Sequence, residues 1–385
     1  MMIDLIKPFP NESEESFTKR KAYYFRILRR RFEYGGLVMN LQSPNGIPIT
    51  KSDREEIDAF WDKFLRPELR DRLVDYSFYN LFKNLNKDKG YRLSYYIPDT
   101  FYYPFVDEYF TNPQHSNPCD AKNFYNLYFS DFAQPKTIFR KVDSFYLDAD
   151  YNSISQNEAI ARSKDEGEVI LKIAMFSGGG FGVMFWNSSV DSEEKLVDFL
   201  HSSKDVICQE VIRQNPSISI LNPSSVNTIR MLTFAFKNEI HMLSSYIRIG
   251  GKGSRVDNRQ NGGLACGIDN DGRLKATAID RAANRYDYRP EGISLNEIVV
   301  PNYEKCVEKV THFAKRFVSI TKIVSWDIAI DESGEPLLVE ANLSGGGLDA
   351  HQICNGPLFG DMTEDVLRDV FGNSYTLKSI IKSMQ

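Results

Sequence analysis

V-S-W-D-I-A-I-D-E-S-G-E-P-L-L-V-E-A-N, residues 324 to 342, holds two apolar runs on either side of Ser333-Gly334. That dipeptide signals the tight turn of a β-hairpin. Antiparallel pairing about it sets Asp327 opposite Glu340 and Ser325 opposite Asn342. Alternation puts Asp327, Glu340 and Asn342 on one face, with Trp326, Ile328, Ile330, Leu337 and Val339 on the other. Two carboxylates facing across a ladder destabilise it. At roughly 5 Å and an effective dielectric of about 20 they repel by about 3 kcal/mol. A cation is therefore expected between them. Two carboxylates and an amide form an all-oxygen set, which suits Mg²⁺ (or Mn²⁺); Mg²⁺ takes few protein ligands and completes its shell with water and phosphate. Asp327, Glu340 and Asn342 are the expected metal ligands.

Upstream, residues 168 to 182 read E-V-I-L-K-I-A-M-F-S-G-G-G-F-G, an apolar strand carrying Lys172 and then four glycines in five positions. Glycines let backbone N–H groups approach phosphate closely, and an inward lysine neutralises its charge. Strand parity with Ile170 and Ala174 points Lys172 inward, where an unpaired ammonium is costly. No G-x-x-x-x-G-K-[ST] occurs, and no G-x-G-x-x-G opens a helix after a strand. Alone, the loop fits a hairpin turn as well as a phosphate cradle. The metal hairpin about 150 residues downstream favours the cradle, formed by Ser177, Gly178, Gly179, Gly180 and Gly182 with Lys172.

With these motifs the chain resembles the ATP-grasp superfamily, and within it the sugar-transfer-associated ATP-grasp subgroup. The resemblance is carried by Asp120-x-Lys122, V-I-L-K-x5-G-G-G-x-G, C-Q-E-V-I (208–212), S-V-N-T-I-R (225–230), V-D-N-x3-G-G (256–263) and the terminal E-A-N-L-S-G-G-G-L-D-A-H-Q, over roughly residues 118 to 362. It implies an α+β ATP-grasp fold, two α+β lobes clamping ATP, with Mg²⁺ as companion ion. It implies that Lys122 contacts phosphate from the far side of the cleft. It also implies that the backbone of a hinge at Gln209, Glu210, Val211 and Ile212 reads the adenine edge. The implied activity is a carboxylate–amine ligase working through an acyl phosphate. Its substrates would be small-molecule, glycan or peptide carboxylates and amines, and the subgroup's name associates it with polysaccharide biosynthesis.

In such a site one arginine holds the transferred group and another the acceptor carboxylate. Arg230 and Arg248, on successive predicted strands, supply the planar, permanently charged forks for this. Asp257, Asn258, Gly262 and Gly263 form a second loop that could close on substrate, and His351 is a candidate base or substrate ligand. No G-x-S-x-G signature occurs, in keeping with chemistry that needs no side-chain nucleophile. A phosphotransferase acting on a hydroxyl would use the same apparatus plus a carboxylate base, for which Asp257 or Asp349 is available. A non-catalytic ATP-binding protein is the third reading; the intact pair of opposed carboxylates speaks against it.

The 385 residues suggest two or three domains: a helical, aromatic-rich module at 1–117, a first lobe at 118–208 and a second at 209–385. Net charge is −5, which gives nucleic-acid binding no electrostatic support. Five scattered cysteines without C-x-x-C favour reduced thiols in a cytoplasmic protein over disulfides or a zinc site. The first ten residues show no leader pattern, and no apolar run approaches 18 residues. Residues 15–34 and 53–65 read as helices, the second capped at Ser52-Asp53. The Tyr- and Phe-rich stretch at 76–132 reads as buried core, not as a glycan platform. Further expected helices are 120–132, 156–163, 192–202, 301–318 and 363–370, and expected strands are 169–176, 183–186, 227–236, 240–248, 263–268 and 273–280.

Overall fold

The computed structural model describes residues 13–15, 17–18, 21, 46–87, 89–111, 116, 119, 121–175, 182–259, 262–343, 345–374, 377–378 and 381–382. Most of the expected helix at 15–34, Asp120, and the loop residues Ser177, Gly178, Gly179 and Gly180 lie outside them.

The chain divides into two compact units. One comprises Met1–Asn112, Ile279–Tyr286 and Ser344–Gln385; the other comprises Pro113–Ala278 and Asp287–Leu343. Residues 344–385, grouped with the second lobe in sequence, thus belong to the terminal unit.

In the terminal unit, helices α1 (Lys51–Trp61), α2 (Pro67–Leu73) and α3 (Ser77–Asn86) bury an aromatic core. Thr50 caps α1 with a reciprocal bond to Asp53, so the helix begins before the expected Ser52-Asp53 cap. Tyr96, Phe101, Tyr102, Tyr103 and Phe105 are all buried, as the core reading expects. Their segment includes a π-helical turn, Tyr102–Asp107.

The central unit holds two antiparallel sheets. The first contains β1 (Thr137–Val142), β2 (Phe145–Leu147), β3 (Ser153–Ile154), β4 (Glu168–Ile173), β5 (Val183–Asn187) and β6 (Asp205–Glu210), in the order β3-β2-β1-β6-β4-β5. Helices α4 (Gln156–Glu166) and α5 (Glu193–Ser202) supply Ala159, Ile160, Leu196 and Leu200 to its core. The second sheet is built from β7 (Ile229–Phe236), β8 (Glu239–Ile249), β9 (Leu264–Ile268), β10 (Leu274–Ile279), β11 (Ile323–Ile330) and β12 (Pro336–Asn342). Its order within this unit is β10-β9-β8-β7-β11-β12. The amphipathic helix α6 (Tyr303–Arg316) buries Cys306, Val310 and Phe313 in the core of this sheet.

Most elements of the central unit sit where the periodicity put them. The stretch 120–132 is an exception: it forms a 3₁₀ turn, Lys122–Phe124, and one α turn, Tyr125–Tyr128. Tyr125, Phe129 and Phe132 share a helical spacing and are all buried. The Gln134 side chain, however, donates to the carbonyls of Tyr125 (3.2 Å) and Phe129 (3.1 Å), ending the turn early. All five cysteines are free thiols. No helix among the described residues is long and apolar enough to cross a membrane.

Candidate functional site

The hairpin β11–β12 has the predicted register at its open end, with Asp327 opposite Glu340 and Ser325 opposite Asn342. Beyond Asp327 the register shifts, so that Ile328 pairs with Leu338. This bulge leaves Leu338 and Ala341 in the core and turns Val339 to the cleft, correcting the expectation that Val339 shares a face with Trp326, Ile328 and Ile330. Bulges commonly re-aim side chains beside active sites.

The cation demanded by the opposed carboxylates is present, as protein. Arg230 on β7 lies directly opposite Asp327 in the ladder. Its Nε and Nη2 donate to the two Asp327 oxygens, the latter at 2.9 Å. Arg248 on β8 adds Nη2 to Asp327 Oδ2 at 2.8 Å. Asp327 is 1% exposed. Burial alone would raise its pKa, but the two guanidiniums outweigh this and hold it below the usual carboxylate range. Both arginines are held above their ordinary value: burial opposes the charge, but Asp327 outweighs it at Arg230, and Asp257 with Asp327 outweighs it at Arg248. Glu340 is served separately: Lys122 Nζ lies 2.8 Å from its Oε1, with both side chains partly buried.

The first sheet supplies Lys172, 8% exposed, whose Nζ donates to Gln209 Oε1 at 3.1 Å. Burial, with the nearby Lys122 charge, lowers its pKa to about 8 against a partial offset from Glu340. No carboxylate pairs with it among the described residues. Lys122 joins the same edge, its amide donating to Ala174 O at 3.0 Å. Gly182 closes the glycine loop at φ +72°, and a Cβ there would lie 2.5 Å from Ile173 Cδ1.

Both sheets line a cleft of about 630 Å³. Lys122, Lys172, Glu210, Val211, Ile212, Arg230, Arg248, Asp327, Glu340 and Asn342 all border it. After Glu210 the chain leaves the ladder, and the backbone of Val211 and Ile212 makes no hydrogen bond among the described residues. Gln209 turns its side chain to Lys172 and to Pro135 O (3.3 Å), a role its backbone assignment did not foresee. His351 is buried on α7 (Leu348–Asn355) of the terminal unit, next to Gln352, which binds the backbone of Ile97.

Thr228 and Arg255 emerge from the structure as further cleft residues, and Asp257, from the loop expected to close on substrate, lines the cleft with them. Arg248 bonds the Thr228 hydroxyl, and Asp257 accepts from Thr228. Thr228 lies in the S-V-N-T-I-R run and Arg255 directly precedes V-D-N-x3-G-G, and neither run reveals the partners of these side chains.

Two antiparallel sheets thus line one cleft, with Lys122 and Lys172 on one side and the arginine–carboxylate array on the other. Residues 130–366 match the family described as sugar-transfer associated ATP-grasp, and the chain belongs to that family. No curated protein matches it. Among solved structures it is similar to D-alanyl-alanine synthetase A from Vibrio cholerae, at 9% identity and TM-score 0.42, covering 68% of each chain. It is also similar to a D-alanine–D-alanine ligase from Bacillus anthracis, at 12% identity and TM-score 0.40, covering 71% of this chain and 72% of that one. A third similarity is to an L-amino acid ligase from Bacillus licheniformis, at 14% identity and TM-score 0.38. There 68% of this chain spans half of the ligase.

Proposed function

We propose that the protein is an ATP- and Mg²⁺-dependent carboxylate–amine ligase working through an acyl phosphate, on a sugar- or peptide-linked substrate. The observation that carries this is the buried pair of arginine forks, Arg230 and Arg248, aligned on Asp327 at the cleft floor beside Glu340. Family membership supplies the nucleotide, and ATP is read as lying between the sheets with its phosphates at Lys122, Lys172 and the glycine loop. The free backbone edge at Val211 and Ile212 suits a purine edge.

The donor set fits a hard divalent cation. Glu340 and Asn342 offer oxygens two residues apart on the cleft side, and both would hold Mg²⁺ with phosphate completing the shell. Asp327, expected from sequence as a third ligand, is instead occupied by its arginines and orients them. When bound, Mg²⁺ neutralises phosphate charge and draws the oxygens together. Lys122 occupies Glu340 and must leave it for the nucleotide phosphates, which supply the negative charge it gives up.

In the reaction a carboxylate oxygen attacks the γ-phosphorus and ADP leaves. The amine nitrogen then attacks the acyl carbon, loses a proton, and expels phosphate. Arg230 and Arg248 stabilise the charge that builds on the moving phosphoryl group. The kinase alternative needs a free carboxylate base in the cleft. Of its two candidates, the Asp349 side chain lies outside the described residues and Asp257 is bound to Thr228 at 3.0 and 2.5 Å and to Arg248 at 3.3 Å, which disfavours Asp257 as that base. The test is a screen of carboxylates and amines for ADP release, followed by ¹⁸O labelling of the active carboxylate. Label in the released phosphate is expected; phosphate retained on the product without label would replace the ligase with a kinase.

A further inference from the structure

Asp257 sits on the segment between β8 and β9, and it is 8% exposed. Its Oδ2 accepts from the Thr228 amide at 3.0 Å and from the Thr228 hydroxyl at 2.5 Å. The hydroxyl proton is thereby committed to Asp257, which leaves the oxygen lone pairs for Arg248 Nε at 2.9 Å and Nη2 at 2.7 Å. Asp257 also lies 3.3 Å from Arg248 Nε, and Asp327 takes Nη2 from the other side at 2.8 Å. A long side chain with freely rotating torsions is thus held in one orientation on both flanks.

The segment that carries Asp257 is itself held at three points. At its root Asn222 Nδ2 reaches Gly251 O and Ser254 O, each at 3.3 Å. At its return Gly263 passes so close that a Cβ would lie 2.8 Å from Ile249 O and 2.9 Å from Asn258 O. At its tip Arg255 crosses to the first sheet, with its guanidinium 3.8 Å above the Phe185 ring and 2.9 Å from Glu168. The segment therefore spans from the sheet that bears the arginines to the sheet that bears Lys172.

We propose that Asp257, acting through Thr228, is the positioning residue that aims Arg248 at the transferring phosphoryl group, and that Arg255 clasps the strap carrying Asp257 across the cleft. This rests on the reading of Arg248 given under the proposed function. An arginine fixed before reaction loses no further rotamer freedom when charge develops, and small misplacements of such groups are expensive. Asp257 is neither base nor ligand here; its carboxylate works on the orientation of another side chain.

The test compares two probes by calorimetry: Mg·ADP, and Mg·ADP with aluminium fluoride as a mimic of the phosphoryl group in transfer. Asp257→Asn is expected to weaken the fluoride complex about tenfold or more while leaving Mg·ADP within about twofold. Arg255→Ala, which removes a half-exposed clasp, is expected to give the same split at about threefold. If Asp257→Asn folds poorly, Thr228→Val, which deletes only the bridging hydroxyl, must show the split. Equal weakening of both probes would mark Asp257 as merely structural, and no weakening of either would remove it from the site; both overturn the proposal. Arg248→Lys is run alongside. If it leaves the fluoride complex intact, the assignment of Arg248 to the phosphoryl group fails at its own step, whatever Asp257 does.

Discussion

The two walls of the cleft balance their charges in opposite ways. On the second sheet, Arg230 and Arg248 are charge-paired with Asp327 and Asp257 in a buried network. On the first sheet, Lys172 is just as buried yet among the described residues has only the neutral Gln209 amide oxygen as partner. The hairpin repeats the contrast within itself: Asp327 is 1% exposed and held by two guanidiniums, whereas Glu340 has a single, partly exposed lysine. The paired wall is built to keep its geometry. On the other wall Lys172 lacks an anionic partner among the described residues, and an anion is what a nucleotide brings. Stability should therefore reside on one side of the cleft and ligand response on the other, and substitutions can separate the two.

The largest effect is expected on the paired wall. Arg230→Ala leaves Asp327 buried with half of its counter-charge, and removing one partner of a buried ion pair costs about 3–5 kcal/mol. Denaturant unfolding measures this, and a loss under about 1 kcal/mol would mean the network is not structural. Next comes Glu340→Gln, which should lower turnover about a hundredfold. It should shift unfolding by no more than about 1 kcal/mol, since only a partly exposed pair is lost. Equal damage to stability and turnover would erase the distinction between the two carboxylates.

A pH dependence follows for the wall that bears Lys172. Lys172 has its pKa lowered by burial to about 8, so in the folded protein it begins to lose its proton there. The unfolded chain holds that proton up to the ordinary lysine range, so Lys172 makes the fold gain stability as pH rises from about 8 toward 10.5. Nucleotide affinity should move the other way, falling by up to about tenfold per unit above pH 8, with a proton taken up on binding. Calorimetry in buffers of different ionisation enthalpy checks this, and Lys172→Met should remove both the uptake and the slope.

What could be read in the sequence was local. Ser333-Gly334 marked the hairpin within nineteen consecutive residues, but the strands leave the turn with Ile330 opposite Pro336, one residue off the register of a two-residue turn, and the bulge after Asp327 is what brings Asp327 opposite Glu340. The demand for a cation also followed, from charge repulsion. Its source did not. Arg230 and Asp327 are 97 residues apart, and nothing in either segment shows that β7 lies beside β11. The bulge that turns Val339 to the cleft was equally hidden, since Leu337, Leu338 and Val339 are all apolar and alternation cannot rank them. Gln209 was assigned through its backbone, and its side-chain bond to Lys172 depends on β4 pairing with β6.

Titration of Mn²⁺, with and without a non-hydrolysable ATP analogue and followed by electron paramagnetic resonance, tests most directly whether Glu340 is the exchangeable carboxylate. In the native protein Mn²⁺ should bind weakly alone and tightly with nucleotide, because Lys122 holds Glu340 until phosphate draws it away. Lys122→Met should strengthen binding of Mn²⁺ alone by about fivefold, the worth of a partly exposed ion pair, and Glu340→Gln should abolish the nucleotide-dependent binding. Mn²⁺ binding equally well with and without nucleotide, or surviving in Glu340→Gln, would contradict the account.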